Sequence, residues 1–136
     1  LAASVFGVTK YGPSDWLNVT LGSYNADPAG VADSTATIQA ALDACPLGGT
    51  VYGPPGEYKT LSPLVVPPQV TLELGHSSHI DSSASCIKPD AAFAGAAVIL
   101  MVDQTTGGYS VPSNQQRLKN VTIDCSNLSG GSTDGI

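Results

Sequence analysis

The sequence is short of charge, and of positive charge above all. Among 136 residues only 12% are charged, the formal net charge is -6, and Arg117 is the sole arginine among 5 cationic residues. Nucleic-acid binding needs clustered cations, so no nucleic-acid partner is expected. The same deficit argues against docking on anionic membrane surfaces. No apolar run reaches the roughly 18 residues that cross a bilayer, so membrane insertion is not expected either. Residues 91–102 are apolar but short, and Gly95 interrupts them. Residues 1–9 lack the basic start and long apolar middle of a signal peptide. Cysteine is scarce too: Cys45, Cys86 and Cys125 are widely spaced, odd in number and without a Cys-x-x-Cys pair. They read as small buried apolar residues rather than a disulfide scaffold or a zinc site.

What is abundant is turn chemistry, with 15 Gly and 10 Pro beside 42% hydrophobic residues. That combination points to a β-rich, tightly turned protein of one domain or part of one. Residues 1–15 read as an N-terminal arm without a clear period. Residues 16–20 then read as a strand, with Val19 inward and Trp16 covering one end of the core. In the turn that follows, Asn25 and Gly30 are suited to positive φ and Pro28 fixes the chain between them. Asp33 or Ser34 is a good helix N-cap. Beyond it, Ile38, Ala41, Leu42 and Cys45 fall at i, i+3, i+4 and i+7, a single apolar stripe. Pro46 and Gly48-Gly49 end the helix, predicted over about residues 34–45. Three turns are too few to be stable alone, so the stripe must lie on something.

That something is the strand series beyond. Thr50-Val51-Tyr52, Glu57-Tyr58-Lys59-Thr60 and Leu64-Val65-Val66 are separated by Gly53-Pro54-Pro55-Gly56 and stopped by Pro67-Pro68. Val70, Leu72 and Leu74 alternate with Thr71 and Glu73, a period of two. Ile80, Ile87, residues 98–102 and residues 118–125 follow, the last with Val121, Ile123 and Cys125 facing opposite to Thr122 and Asp124. The steps from Val51 to Val70, Val98 and Val121 suit the coils of a stacked repeat. The short Pro-stopped pieces lack Asn-Gly or Asp-Gly hairpins, which weakens a sandwich. Periodicity alone leaves both open.

Several motifs in order carry a resemblance: Trp16-Leu17-Asn18-Val19-Thr20, Asp27, Gly30, Asp33-Ser34-Thr35, Ile38-Gln39-Ala40-Ala41-Leu42, Gly48-Gly49-Thr50-Val51 and Pro54-Pro55-Gly56-Glu57-Tyr58. They resemble the opening of the pectate-lyase-like, right-handed parallel β-helix proteins, in particular the branch found in phage tailspikes and tail fibres and in glycan hydrolases. The likeness covers about residues 16–75. The family's Phe-Gly-Ala approach to the Asp-containing turn is here Leu21-Gly22-Ser23-Tyr24-Asn25-Ala26, with Asn25 in a glycine's place. The resemblance implies an all-β solenoid: the start of a right-handed parallel β-helix over residues 16–136, with an N-terminal capping α-helix, continuing beyond Ile136.

The residues offer little obvious chemistry. His76-Ser77-Ser78-His79, with Asp81 nearby, lacks a completing ligand cluster and reads as a solvated turn, with no metal or cofactor implied. Glycoside hydrolysis needs paired carboxylates. Glu73 and Asp124 face outward two or more coils apart and have no adjacent partner. Arg117 and Lys119 flank Leu118 at a coil boundary, and the Arg-Pro and His-Gly-His motifs of the lyase relatives are missing. Asn18, Asn120 and Asn127 head glycosylation sequons, of which about one is expected by chance.

The reading is therefore a structural, host-surface-facing phage tail component, a tailspike or tail-fibre protein located in the virion or extracellularly. The resemblance implies a homotrimer partnered by other virion tail proteins and a host surface polysaccharide. Its glycan-facing candidates are Glu73, Thr122 and Asp124, and no catalytic residue is assigned. The alternative is a secreted polysaccharide hydrolase or lyase of the same fold.

Overall fold

The computed structural model describes residues 16–75, 85–101, 105–106, 109–110 and 115–129. The strands are short because turn residues interrupt each apolar alternation after a few positions. Their order is β1 (Trp16–Asn18), β2 (Ala29–Asp33), α1 (Thr35–Ala44), β3 (Thr50–Gly53), β4 (Glu57–Thr60), β5 (Leu64–Val66), β6 (Thr71–Leu74), β7 (Cys86–Pro89) and β8 (Ile99–Met101). After these come β9 (Thr105–Thr106), β10 (Tyr109–Ser110), β11 (Arg117–Lys119) and β12 (Thr122–Ile123).

Three parallel sheets result. Sheet 1 runs β1-β3-β6-β11, sheet 2 runs β2-β4-β7-β12, and sheet 3 pairs β5 with β8. The chain visits them cyclically, each circuit stacking on the last, which is the winding of a right-handed parallel β-helix. In the first circuit α1 occupies the place that β5 and β8 take in the next two. Strands β9 and β10 stand apart as an antiparallel pair, Tyr109 opposite Thr106.

Corners are made by residues that accept unusual backbone angles. Asn25, Gln69 and Asn120 have φ of 52°, 61° and 56°. Gln69 is the third residue of the turn closed by Val70 N donating to Pro67 O at 3.3 Å, Asn25 directly follows the turn closed by Tyr24 N donating to Leu21 O at 3.3 Å, and Asn120 separates β11 from β12. Residues 118–125, expected as one strand, are therefore two strands in different sheets. Val121, Ile123 and Cys125 still pack against the core, as the alternation implied. At the Gly53-Pro54-Pro55-Gly56 corner a Cβ on Gly56 would lie 2.6 Å from the Pro28 carbonyl oxygen. Only glycine lets neighbouring circuits approach this closely, and Glu57 N donates to that same oxygen at 2.9 Å.

The interior is a column of apolar side chains between the sheets. Val51, Tyr58, Leu64, Val66, Leu72, Ile87 and Ile99 are each buried. Tyr58 donates its hydroxyl to the Pro54 carbonyl at 2.6 Å, and burial pushes its phenol pKa well above the ordinary value. Leu17, Val51, Leu72 and Leu118 are the successive inward residues of sheet 1. This true register does not follow the expected Val51, Val70, Val98, Val121 series, because Val98 precedes a sheet-3 strand. Trp16 is not a cover for the core: it is 44% exposed on the outer face.

Helix α1 buries Ile38, Ala41 and Leu42, the expected stripe, with Cys45 partly buried beside them. Of the two expected caps at its start, only Asp33 bonds the first helical N–H. Ser34 makes no side-chain cap; its hydroxyl instead accepts from Asp27 N at 3.0 Å. The Asp33 carboxylate accepts from Thr35 N at 3.0 Å. The polar side chains of α1 reach the backbone of the next circuit. Gln39 donates to Val65 O at 3.0 Å and accepts from Val65 N at 2.8 Å, as a neighbouring strand would. Thr35 Oγ1 accepts from Leu61 N at 2.9 Å. Among the described residues no helix is long and apolar enough to cross a membrane.

Candidate functional site

A strand turns successive side chains to opposite faces, so register alone sorts the residues of sheet 1. With the leucines and Val51 inward, two outward columns remain. One stacks Trp16, Thr50, Thr71 and Arg117; the other stacks Asn18, Tyr52, Glu73 and Lys119. No two of these strands adjoin in sequence, and the circuits between them bring the residues together.

The outer face they form is a cleft of about 450 Å³ lined by Trp16, Thr50, Thr71, Glu73, Arg117, Leu118 and Lys119. The Trp16 and Tyr52 rings lie 5.7 Å apart and tilted by 34°, a stable aromatic contact at the first-circuit end. Lys119 Nζ is 3.1 Å from Glu73 Oε1, and only 13% of the Glu73 side chain is exposed. A second cleft of about 240 Å³, lined by Gly48, Gln69, Thr71, Gln115 and Arg117, adjoins the first through Thr71 and Arg117. Arg117 therefore stands between the two. Among the described residues it makes no ion pair.

Sheet 2 presents a different surface. Lys88 Nζ lies 3.1 Å from Glu57 Oε2 and 3.5 Å from Asp124 Oδ2, and Lys59 Nζ lies 3.8 Å from Asp90 Oδ2. The Glu57 hydrogen bond and charge, with Asp124 behind them, raise the Lys88 pKa. Hydrogen bonds from Ser126 and the Lys88 charge lower that of Asp124. Burial first, then the Glu57 and Asp124 carboxylates, push the Cys86 thiol pKa up. Cys86 and Cys125 are free thiols. In the turn before α1, the Asp27 carboxylate accepts from Ala29, Val31 and Ala32 N–H groups at 2.9, 2.9 and 2.7 Å. Those bonds hold its pKa below the ordinary value.

The expected glycan-facing residues thus separate. Glu73 lies in the sheet-1 cleft, whereas Thr122 and Asp124 are on sheet 2 and do not line it. Glu73 and Asp124 are one circuit apart, not two or more. Arg117 and Lys119 sit within a strand of sheet 1, not at a coil boundary. The residues that sequence reasoning missed are Trp16, Thr50, Tyr52, Thr71 and Arg117. The His76 and His79 pair, with Asp81, lies outside the described residues. Among the described residues no group of three or more His, Cys, Asp or Glu could hold a metal.

The cleft can bind but shows no hydrolytic pair. Glu73 is the one carboxylate lining it among the described residues, and Lys119 neutralises that group. General acid–base cleavage of a glycosidic bond uses two carboxyl groups.

The family described as rhamnogalacturonase A/epimerase, pectate lyase-like matches residues 16–136. The chain belongs to this family. No curated protein matches it. Solved structures that it resembles include ORF18 of Geobacillus virus E2, with a TM-score of 0.61 and 22% identity over 85% of this chain and 22% of that one. Another is the A-module of mannuronan C-5 epimerase AlgE4 from Azotobacter vinelandii, with a TM-score of 0.60 and 27% identity over 89% of this chain and 32% of that one. The chain spans between a fifth and a third of these structures, and what they share with it is the pectate-lyase-like β-helix. The fold is thus shared with a viral protein and with a polysaccharide-epimerase module.

Proposed function

We propose that this pectate-lyase-like β-helix is a host-surface-facing component of a phage tail and that it contacts cell-surface glycan through the outer face of sheet 1. The observation carrying this reading is the Trp16–Tyr52 platform beside a cleft floored by Thr50 and Thr71. Aromatic faces stack on sugar rings, and hydroxyl and charged groups around them bond the sugar's own hydroxyls. The likeness to a viral ORF18 supports the tail setting, and the family supports the glycan.

In this proposal α1 is the N-terminal cap of the solenoid. The open lower edge of sheet 3 would otherwise present unpaired backbone groups. The Gln39 bonds to Val65 and the Thr35 bond to Leu61 meet that need. Subunits of the full-length protein assemble as a homotrimer, and other virion tail proteins and a host polysaccharide are its partners.

The test is binding of the full-length protein to purified host-cell polysaccharide, compared with Trp16→Ala and Tyr52→Ala. Loss of binding in either variant, with melting unchanged, is the expected outcome. Equal binding by all three proteins would remove the platform from the function. Light scattering in solution tests the assembly, and a monomer would count against the tail reading.

A second reading, a secreted polysaccharide-modifying enzyme of the same fold, is favoured by the 27% identity to the epimerase module. Turnover of a polysaccharide by the full-length protein, followed by NMR of the products, would establish it.

A further inference from the structure

We infer that the first-circuit end of the solenoid is a docking surface for the N-terminal arm, residues 1–15, which adds one antiparallel strand to the open edge of β1. The inference is independent of the glycan reading above, because it rests on the backbone of β1 and on the end of the stack.

A parallel stack leaves its first rung with backbone groups that no neighbour pairs. Two of the three edges at this end are closed from within. Asp27 accepts from the Ala29, Val31 and Ala32 N–H groups of β2. Helix α1 stands where sheet 3 would begin, with its side chains bonded to the next circuit. Strand β1 has no such closure. Val19 N donates to Tyr52 O at 3.0 Å, so ladder alternation turns Leu17 and Val19 toward β3 and Trp16 and Asn18 away from it. Asn18 O is taken by Leu21 N at 3.2 Å. The Trp16 N–H and C=O and the Asn18 N–H have no partner among the described residues, which is room for one short strand.

The side chains at this end narrow what fills it. Of the six large hydrophobic side chains exposed among the described residues, four belong to the first circuit: Trp16, Leu21, Val31 and Leu47. Residues 16–48 carry Asp27, Asp33 and Asp43 and no Lys or Arg. A second copy meeting this end would set three negative charges against three, and like charges face to face are costly. The arm brings no such conflict. It offers Val5, Phe6, Val8 and Tyr11 to the exposed apolar side chains, and Lys10 is its only cation. Its Gly12-Pro13-Ser14-Asp15 run is turn chemistry directly before β1, and a reversal there returns the chain antiparallel to that strand. So short a tether gives the arm an effective concentration in the millimolar range, on the order of what a weak strand pairing needs.

The experiment is amide hydrogen exchange on the full-length protein, resolved to single residues across β1. In the native protein Trp16 and Asn18 should be protected to within about tenfold of Leu17, which bonds to β3. In Phe6→Asp/Val8→Asp their exchange should accelerate by roughly tenfold or more while Leu17 is unchanged. Phe6→Leu/Val8→Ile should keep the native protection. Leu17 is thus the control for folding, and Phe6→Ser/Val8→Ser gives the same readout if the aspartate variant fails to fold. Free exchange of Trp16 and Asn18 in the native protein would overturn the inference. Protection that survives the polar arm variants would overturn it as well, because something other than the arm would then cover β1. Protection that rises with protein concentration would assign the edge to a second copy, and protection that needs an added tail protein would assign it to that partner; either would overturn the arm.

Discussion

Sheets 1 and 2 are built from the same circuits, yet their outer faces are organised on opposite principles. On sheet 2 the cations are matched: Lys88 bridges Glu57 and Asp124 across successive rungs, and Lys59 holds Asp90. On sheet 1 the match stops at Glu73 and Lys119, leaving Arg117 open and two aromatic rings at the surface. A solenoid repeats its backbone but not its side chains. Function can be placed on one face while another closes the charge ladder. The unmatched face is the one that has something left to offer a ligand.

The largest expected effect is on what the two faces share. Leu72 lies 1% exposed between Val51 and Leu118 in the sheet-1 interior column. Leu72→Ala should cost about 3 kcal/mol from lost transfer and a residual cavity. Urea denaturation would measure it, and both faces should fail in one transition. Two separate transitions would show that the sheets are not one cooperative unit.

Next is the junction of α1 with sheet 3. Gln39→Ala leaves Val65 N and O without their side-chain partners, at an expected cost of about 1–3 kcal/mol. Hydrogen exchange at Val65 should accelerate more than exchange in β6. Unchanged exchange would remove Gln39 from the role of substitute strand. This stripe was legible in the sequence because Ile38, Ala41 and Leu42 keep helical spacing, and β6 was legible because Val70, Leu72 and Leu74 alternate strictly. The Gln39 contact was not, since its partner lies 26 residues away.

The cleft was harder still to read. Trp16, Thr50, Thr71 and Arg117 meet only through register, and nothing local in any one strand marks it. Residues 118–125 misled for a related reason. The left-handed corner at Asn120 uses up one residue, after which an inward alternation resumes in another sheet. Gly107-Gly108, between Thr106 and Tyr109, was an available signal for the β9–β10 pair.

A smaller effect, opposite in sign, is expected inside β4. Thr60 is 0% exposed, and its hydroxyl has no hydrogen-bond partner among the described residues. Thr60→Val keeps the shape and removes the unsatisfied group, so stability should rise by about 1 kcal/mol. A fall in the urea midpoint would mean that the hydroxyl is satisfied after all.

The smallest effect sharpens the contrast between the faces directly. Asp27 and Asp124 have lowered pKa values in the folded chain. Their stabilisation is present above the unfolded carboxylate value and is lost as pH falls through the folded one. Lys88 has a raised pKa, so its contribution is present below the unfolded lysine value and is lost as pH rises through the folded one. Melting temperature should therefore hold a plateau between the acidic and strongly alkaline limbs. Asp27→Asn should flatten the acid limb and Lys88→Met the alkaline limb, both modestly, because exposed pairs are screened by water and salt. Neither substitution touches the Trp16–Arg117 column, so glycan binding should be unaltered at neutral pH. If Lys88→Met weakened binding as strongly as Trp16→Ala, the two faces would not be independent. The matched ladder would then have to be counted as part of the binding surface.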